Sequence, residues 1–401
     1  MNARIIEITN SRQARQELGQ INCDKTGINI MSEKAVFKTL KIEKLPAKAA
    51  NLLKQTFLSK GGEVAVSRGT ADLSIDYTDV LICATLKQFR MALSQLKLQP
   101  WGLPSVALQI EKIIEHSEVF PFRDYKWKSQ VMSIRPRHTL VMGILNITPD
   151  SFSDGGRFNC IDSAVQRAGE MIEAGADIID IGAESTRPYA GAQKVSAEEE
   201  LERLLPVLEA ILAMTTVPVS IDTYKPCVAE ACLKLGAHII NDIWGLQKDP
   251  DMARVVAEHN VPVIVMHNHE GINYQGDILA EIVDFLGRSI DIGMEAGISF
   301  ENFILDPGIG FGKTIEDNLV VMSRLEELRT LGCPILLATS RKRFIGEVLN
   351  LSVDERVEGT AATVAVGITK GVNIVRVHDV REIARIAKMT DAMMKGGLYD
   401  R

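Results

Sequence analysis

Three aspartates and two asparagines stand at the ends of short apolar runs: Asn146, Asp222, Asn241, Asp242 and Asp306. Such groups offer fixed donors and acceptors, the chemistry that reads the edge of a flat heterocycle, where an unpaired polar group costs about 1–3 kcal/mol. For any one of them a loop hydrogen bond is the commoner role; five at the ends of four runs point to a shared ligand. Arg187, Lys342, Arg376 and His378 follow other runs in the same way. Arginine forks beside an imidazole suit phosphate or carboxylate oxygens. A diphosphate would bring Mg2+, a hard ion that takes oxygen ligands, and Asn146 is a suitable single protein ligand for it. Three other motifs carry less. Gly308-Ile-Gly-Phe-Gly-Lys313 looks like a phosphate loop but lacks the Walker spacing. His267-Asn-His269 has neither an HExxH frame nor a cysteine partner, so it is not read as a zinc site. Asp154-Gly155-Gly156 reads as a loop tip able to fold over a ligand.

These side chains need elements to hold them. From Thr139 onward, eight strand-like runs alternate with helical patterns: Leu140–Leu145, Asp177–Ile181, Val217–Ile221, His238–Ile243, Pro262–Met266, Phe303–Leu305, Pro334–Ala338 and Asn373–Val377. Ile161–Ala174 reads as a helix stopped by Gly175, and Ala197–Met214 as one opened by a capping box of Ser196 and Glu199. Strands each followed by a helix imply a parallel sheet. Eight units in roughly 260 residues match a (β/α)8 TIM barrel. An open doubly wound sheet is the alternative, and the regularity of the repeats favours closure. In a barrel the chemistry lies at the carboxyl ends of the strands and in the loops just after them. All eight runs end in polar residues there.

Composition bounds the remainder. The chain has 401 residues, 46% hydrophobic and 24% charged, the balance of a globular protein. No stretch approaches the roughly 18 consecutive apolar residues of a membrane span. The start, Met1 to Glu7, lacks the apolar block of a signal peptide. Six scattered cysteines without CxxC spacing read as reduced thiols, so a cytoplasmic protein is expected. Residues 1–116 read as a small α+β domain, with strands at Ile5–Ile8, Val64–Val66 and Val80–Cys83 and helices at Lys48–Leu58 and Leu86–Leu96. Residues 117–138 read as a connector and 139–401 as the barrel. Residues 1–138 hold 21 Lys+Arg against 13 Asp+Glu, although the whole chain is at −7. The basic residues are dispersed and not interleaved with aromatics, so neither nucleic acid nor membrane is expected as a partner. Docking against the acidic remainder, or solubility, is the simpler account.

Asn146-Ile-Thr-Pro-Asp-Ser-Phe-Ser-Asp-Gly-Gly156, Glu184-Ser-Thr-Arg-Pro188, Ser220-Ile-Asp-Thr223, Ile240-Asn-Asp-Ile243, Leu305-Asp-Pro-Gly308, Ser340-Arg-Lys342 and Arg376-Val-His-Asp379 follow one another in the chain. In this order they resemble the strand-end motifs of the dihydropteroate synthase family of folate biosynthesis. The resemblance covers residues 139 to about 395 and none of the amino-terminal third. It implies a transferase that condenses 7,8-dihydropterin-6-ylmethyl diphosphate with 4-aminobenzoate to give 7,8-dihydropteroate and diphosphate. Diphosphate would leave ahead of amine attack, with Mg2+ as cofactor.

By the same resemblance Asp222, Asn241, Asp306 and Lys342 would bind the pterin. Asn146, Thr186, Arg187, Arg376 and His378 would hold the diphosphate, with Asn146 on the metal. Thr186, Arg187, Pro188, Phe152, Phe311 and Arg343 would flank the aminobenzoate. The catalytic set would be Asp150, Asp222, Lys342, Arg376 and His378. A homodimer through the barrel and a sulfonamide target are also implied. Ala183 and Tyr189 stand where many members have glycine, the segment after His267 is short, Asn268 replaces a common methionine, and Arg343 stands where some members place a serine. Two other readings use the same barrel: a pterin-dependent methyltransferase and a non-catalytic pterin-binding protein. The Arg376/His378 pair favours the synthase.

Overall fold

Residue alternation builds the barrel and decides which side chains reach its interior. The structure, a computed structural model, describes residues 2–127, 130–147, 157–184, 195–274 and 276–395. The chain divides into two compact units, Met1–Val119 and Phe120–Arg401.

In the second unit eight parallel strands form one sheet: Leu140–Asn146, Ile178–Gly182, Val219–Asp222, Ile239–Asp242, Val263–Met266, Phe303–Asp306, Leu336–Leu337 and Ile374–Val377. Each lies within two residues of its expected run. Leu140 on the first strand pairs with Ile374 on the eighth. The sixth and seventh meet through a bridge between Leu305 and Ile335, so the ring closes. Successive residues of a strand point to opposite faces. One set, including Ile179, Ile221, Ile240, Leu305 and Val375, packs in the layer under the helices. The other set, including Met142, Ile178, Ile239, Ile264, Ile304 and Ile374, forms a separate, fully buried cluster. Continuing the second set by twos toward the carboxyl ends arrives at Asn146, Asp180, Asp222, Asn241, Asp306 and Arg376. The polar site is therefore the upper layer of the barrel's own interior.

The amino-terminal end of that interior is closed. Residues expected as a connector form a hairpin, Arg123–Lys126 paired with Val131–Ile134. Its Tyr125, Met132 and Ile134 are buried in the same cluster as Met142, Ile178 and Ile264. Tyr125 also donates its hydroxyl to the Glu301 carbonyl at 2.5 Å. Elsewhere local signals act as the sequence indicates. Ser196 and Glu199 cap the helix Ala197–Met214 reciprocally. Asp391 of the last helix accepts both the Thr139 amide at 2.8 Å and its hydroxyl at 3.0 Å, fixing the start of the first strand.

The first unit is α+β. Its antiparallel sheet has the order Phe37–Pro46, Tyr77–Thr85, Glu63–Val66. The helices Ala47–Leu58, Leu86–Leu96 and Leu103–Glu118 bring Leu53, Phe57, Phe89 and Ile110 to its core. Two expectations are corrected here. Ile5–Ile8 is not a strand, and Ile5 is 98% exposed. The long strand Phe37–Pro46 was not foreseen. A register shift between Ile42 and Leu45, with Lys44 at φ +52°, breaks its alternation, so Leu40 and Leu45 are both buried although five residues apart.

Candidate active site

Arg376 is the hub of the upper layer. From the eighth strand its Nε donates to Asp180 Oδ2 at 2.6 Å and its Nη2 to Asp222 Oδ2 at 2.6 Å. Asn241 Nδ2 donates to the same Asp180 oxygen at 3.3 Å. Two carboxylates and one guanidinium thus share a site that water scarcely reaches: Asp180 is fully buried and Asp222 nearly so. Burial pushes the Asp222 carboxyl up, Arg376 opposes, and Asp180 adds to the rise. Burial acts against the guanidinium charge of Arg376, but Asp180 and Asp222 more than restore it. Asp180 Oδ1, Asp222 Oδ1 and Ser220 Oγ are buried and find no hydrogen-bond partner among the described residues. Gly182 leaves room beside the pair, since a Cβ there would lie 3.3 Å from that of Asp222.

Asp306 ends the sixth strand with its Oδ1 accepting from the Gly308 amide at 2.7 Å. Burial raises its carboxyl, with Lys342 opposing. The Lys342 ammonium sits 4.3 Å from the centre of the Phe311 ring and donates to the Ile309 carbonyl. Asp242 does something else. It points away from the interior, and its two oxygens accept from the Trp244 and Leu246 amides at 2.9 and 2.7 Å. Its carboxyl is pushed up to about 6 by burial. This is the loop-capping role that the sequence left open for each aspartate.

The loops after the seventh and eighth strands are locked together. Arg341 pairs with Asp379 through two bonds, of 3.0 and 2.5 Å. His378 takes both its amide and its Nδ1 to Ser340 Oγ, at 3.1 and 3.0 Å. Arg343 lies on the first turn of a short helix, largely exposed, with Nε on Glu347 at 3.0 Å. After the third strand, Lys225 donates to Glu184 at 2.6 Å, Glu200 at 2.5 Å and the Val195 carbonyl at 2.8 Å.

Of the residues singled out in the sequence, Asp222, Asn241 and Arg376 are drawn into one network through Asp180, and Lys342 and Phe311 into a second beside Asp306. Asn146 ends the first strand opposite Gly182, half-buried. Asp150, Phe152, Thr186, Arg187 and Pro188 lie outside the described residues. Asp180 and Lys225 were not singled out, and Ser340 and Lys313 entered only within motifs, without a role of their own. Asp180 had a signal: a carboxylate in the middle of Ile178-Ile-Asp-Ile-Gly182 breaks an otherwise apolar strand, and the alternation turns it inward.

The pattern of the pterin binding enzyme family matches residues 142–378. The chain is 57% identical over 279 residues to the dihydropteroate synthase of Bacillus subtilis, covering 68% of this chain and 97% of that protein. It is 37% identical over 392 residues to a probable bifunctional folylpolyglutamate synthase/dihydropteroate synthase of Haloferax volcanii, covering 92% of this chain and 45% of that one. Among solved structures, the dihydropteroate synthase FolP of Clostridium difficile, determined in the presence of pteroic acid, shares 53% identity at a TM-score of 0.63. It covers 64% of this chain and 97% of its own. The order of motifs, the closed barrel and these likenesses agree, and the chain belongs to the dihydropteroate synthase family of pterin-binding enzymes.

Proposed function

We infer that the barrel joins a 7,8-dihydropterin-6-ylmethyl diphosphate to 4-aminobenzoate, releasing 7,8-dihydropteroate and diphosphate. One observation carries the reading: a buried guanidinium holds two carboxylates whose second oxygens, Asp180 Oδ1 and Asp222 Oδ1, have no partner among the described residues. Buried acceptors left unmet cost free energy until a ligand supplies donors. The amino and ring N–H groups on the guanidine-like edge of a pterin are donors of that kind. Asp306, with one oxygen on the Gly308 amide, offers the other to the same edge.

The chemistry follows from the charges. When the C–O bond to diphosphate breaks, the electron pair leaves with the diphosphate and the pterin methylene becomes cationic. Asp222 and Asp306 supply a carboxylate environment for that cation in a water-poor site. The amine of 4-aminobenzoate then forms the new C–N bond and gives up a proton. Arg376 and His378 lie on one strand end, where basic groups favour the charge gathering on the leaving diphosphate. Asn146 suits a Mg2+ whose other ligands are substrate oxygens and water: it is neutral and half-buried at the interior end of its strand. Among the described residues no group of three or more His, Cys, Asp or Glu side chains forms a metal cluster of its own. When bound, Mg2+ would neutralise charge on the leaving group.

The test follows dihydropteroate and diphosphate release together, with and without Mg2+. Equal release of both is expected from the intact chain, lost with chelator and restored by Mg2+. Asp222→Asn and Arg376→Met should each lower kcat/KM by at least about a hundredfold. Pterin binding without diphosphate release would instead favour a methyltransferase or a binding protein.

A homodimer fits the same barrel. Exposed apolar side chains gather on neighbouring helices: Leu319 and Val320 on Ile315–Ser323, Val366 on Val357–Thr369, and Met389 and Met393 on Val380–Lys395. Light scattering of the intact chain should give twice the chain mass, and Met389→Glu with Met393→Glu should return it to a monomer.

A further inference from the structure

The glycine-rich run after the sixth strand does not hold out its lysine as a phosphate loop would. Gly308, Gly310 and Gly312 all adopt positive φ, at +68°, +82° and +55°, and fold the segment back on itself. A Cβ at Gly308 would overlap the His267 carbonyl oxygen, and one at Gly310 would come within 2.7 Å of Lys342 Cδ. The chain reversal takes Lys313 into the protein, where it is 2% exposed. Its Nζ meets the Gly308 carbonyl at 2.9 Å, the Phe311 carbonyl at 3.1 Å and His267 Nδ1 at 2.8 Å.

An ammonium has three donors and no acceptor, so these three partners use it completely. With Lys313 charged, His267 carries its proton on Nε2 and accepts at Nδ1. Burial and the neighbouring Lys313 charge lower the imidazole to about 2, which keeps it neutral for that role. None of the three partners is a carboxylate. Burial accordingly pulls the ammonium down to about 7, Lys342 adds to the fall, and Asp306 and Asp317 oppose it. A methionine would fill such a site more cheaply; a buried cation with neutral partners calls for a reason beyond packing.

The loop it holds supplies that reason. Gly308 donates its amide to Asp306, Ile309 offers its carbonyl to Lys342, and Phe311 lays its ring against the Lys342 ammonium. The outer side is tied by Gly310 N on Asn318 Oδ1 at 2.6 Å and Tyr274 Oη on the Gly312 carbonyl at 2.8 Å. Lys313 closes the turn from within, across its first and fourth residues. We propose that Lys313 is a positioning residue of the reaction: its buried ammonium clamps residues 308–313 in the shape that sets Asp306, Lys342 and the Phe311 ring for the pterin. The proposal rests on the reaction inferred above.

The experiment uses the full chain with Lys313→Met, which keeps the bulk and removes all three bonds, and His267→Leu, which removes one. Circular dichroism checks folding, steady-state kinetics give each KM, and calorimetry with pterin-6-carboxylic acid measures binding without turnover. Lys313→Met should raise the KM for the pterin diphosphate, and weaken the pterin probe, by at least about tenfold, with the aminobenzoate KM within about threefold. His267→Leu should move the same quantities in the same direction by less, and it carries the test alone if Lys313→Met does not fold. A role confined to stability would lower kcat through loss of active protein, leaving both KM values and the pterin affinity unchanged. That result overturns the clamp. Wild-type pterin binding without turnover would count against the reaction and leave the clamp to be judged by calorimetry. A wild-type chain that binds no pterin would remove both.

Discussion

His267 lies at the mouth of the barrel, yet its environment makes it an acceptor rather than a titrating base. Its pKa in the fold is lowered to about 2, first by burial and then by Lys313. In the unfolded chain an imidazole titrates near 6.5. Between these values the unfolded state binds a proton that the folded state does not, so this group makes stability fall as pH falls below about 6.5. His267→Gln removes the effect. The wild-type barrel should therefore lose about 2 kcal/mol more than the variant between pH 7.5 and pH 5, read from urea unfolding at each pH. An equal loss in both would place the acid sensitivity elsewhere. The residues that end strands, such as Asp222, Asn241, Asp306 and Arg376, were legible because each interrupts an apolar run where a barrel puts its chemistry. Lys313 was not. Its glycine-rich run looks like an outward phosphate loop, and the left-handed glycines at 308, 310 and 312 reverse it.

The hairpin Arg123–Lys126 and Val131–Ile134 serves the barrel as a floor. Ile134 is fully buried among interior residues and lies at the opposite end from the carboxylates. Ile134→Ala should cost about 2–4 kcal/mol in the barrel's unfolding transition while leaving kcat within about twofold. A large fall in kcat without loss of stability would contradict that division of labour. The barrel strands were readable because β-branched runs recur with helices between them, and a buried parallel strand needs little more. The hairpin was not, since Arg123-Asp-Tyr-Lys126 and Val131-Met-Ser-Ile134 are too short and mixed to stand out, and their fit depends on interior residues far away in sequence. The strand Phe37–Pro46 was hidden by its bulge, because one irregular step moves every later side chain to the other face.

For the molecule as a whole, the two units have different standing. The Bacillus subtilis relative is matched over 97% of its length by 68% of this chain, so a barrel of this family exists as a protein of its own length. A chain beginning at Phe120 should keep kcat within about twofold of the full protein, as measured by dihydropteroate formation. One beginning at Arg137 removes the hairpin, leaves the interior cluster open and should be recovered mainly as aggregate. If the chain from Phe120 is inactive although folded, the first unit takes part in the reaction after all. The hairpin also settles how traffic runs. A barrel with a filled floor has a single doorway, so nothing can arrive from one side while something departs from the other. If the pterin rests on Asp222 and Asp306, as proposed above, it is the first guest in and the last out. The finished dihydropteroate must therefore withdraw along the path by which its pterin half came, and until it does the next diphosphate waits outside.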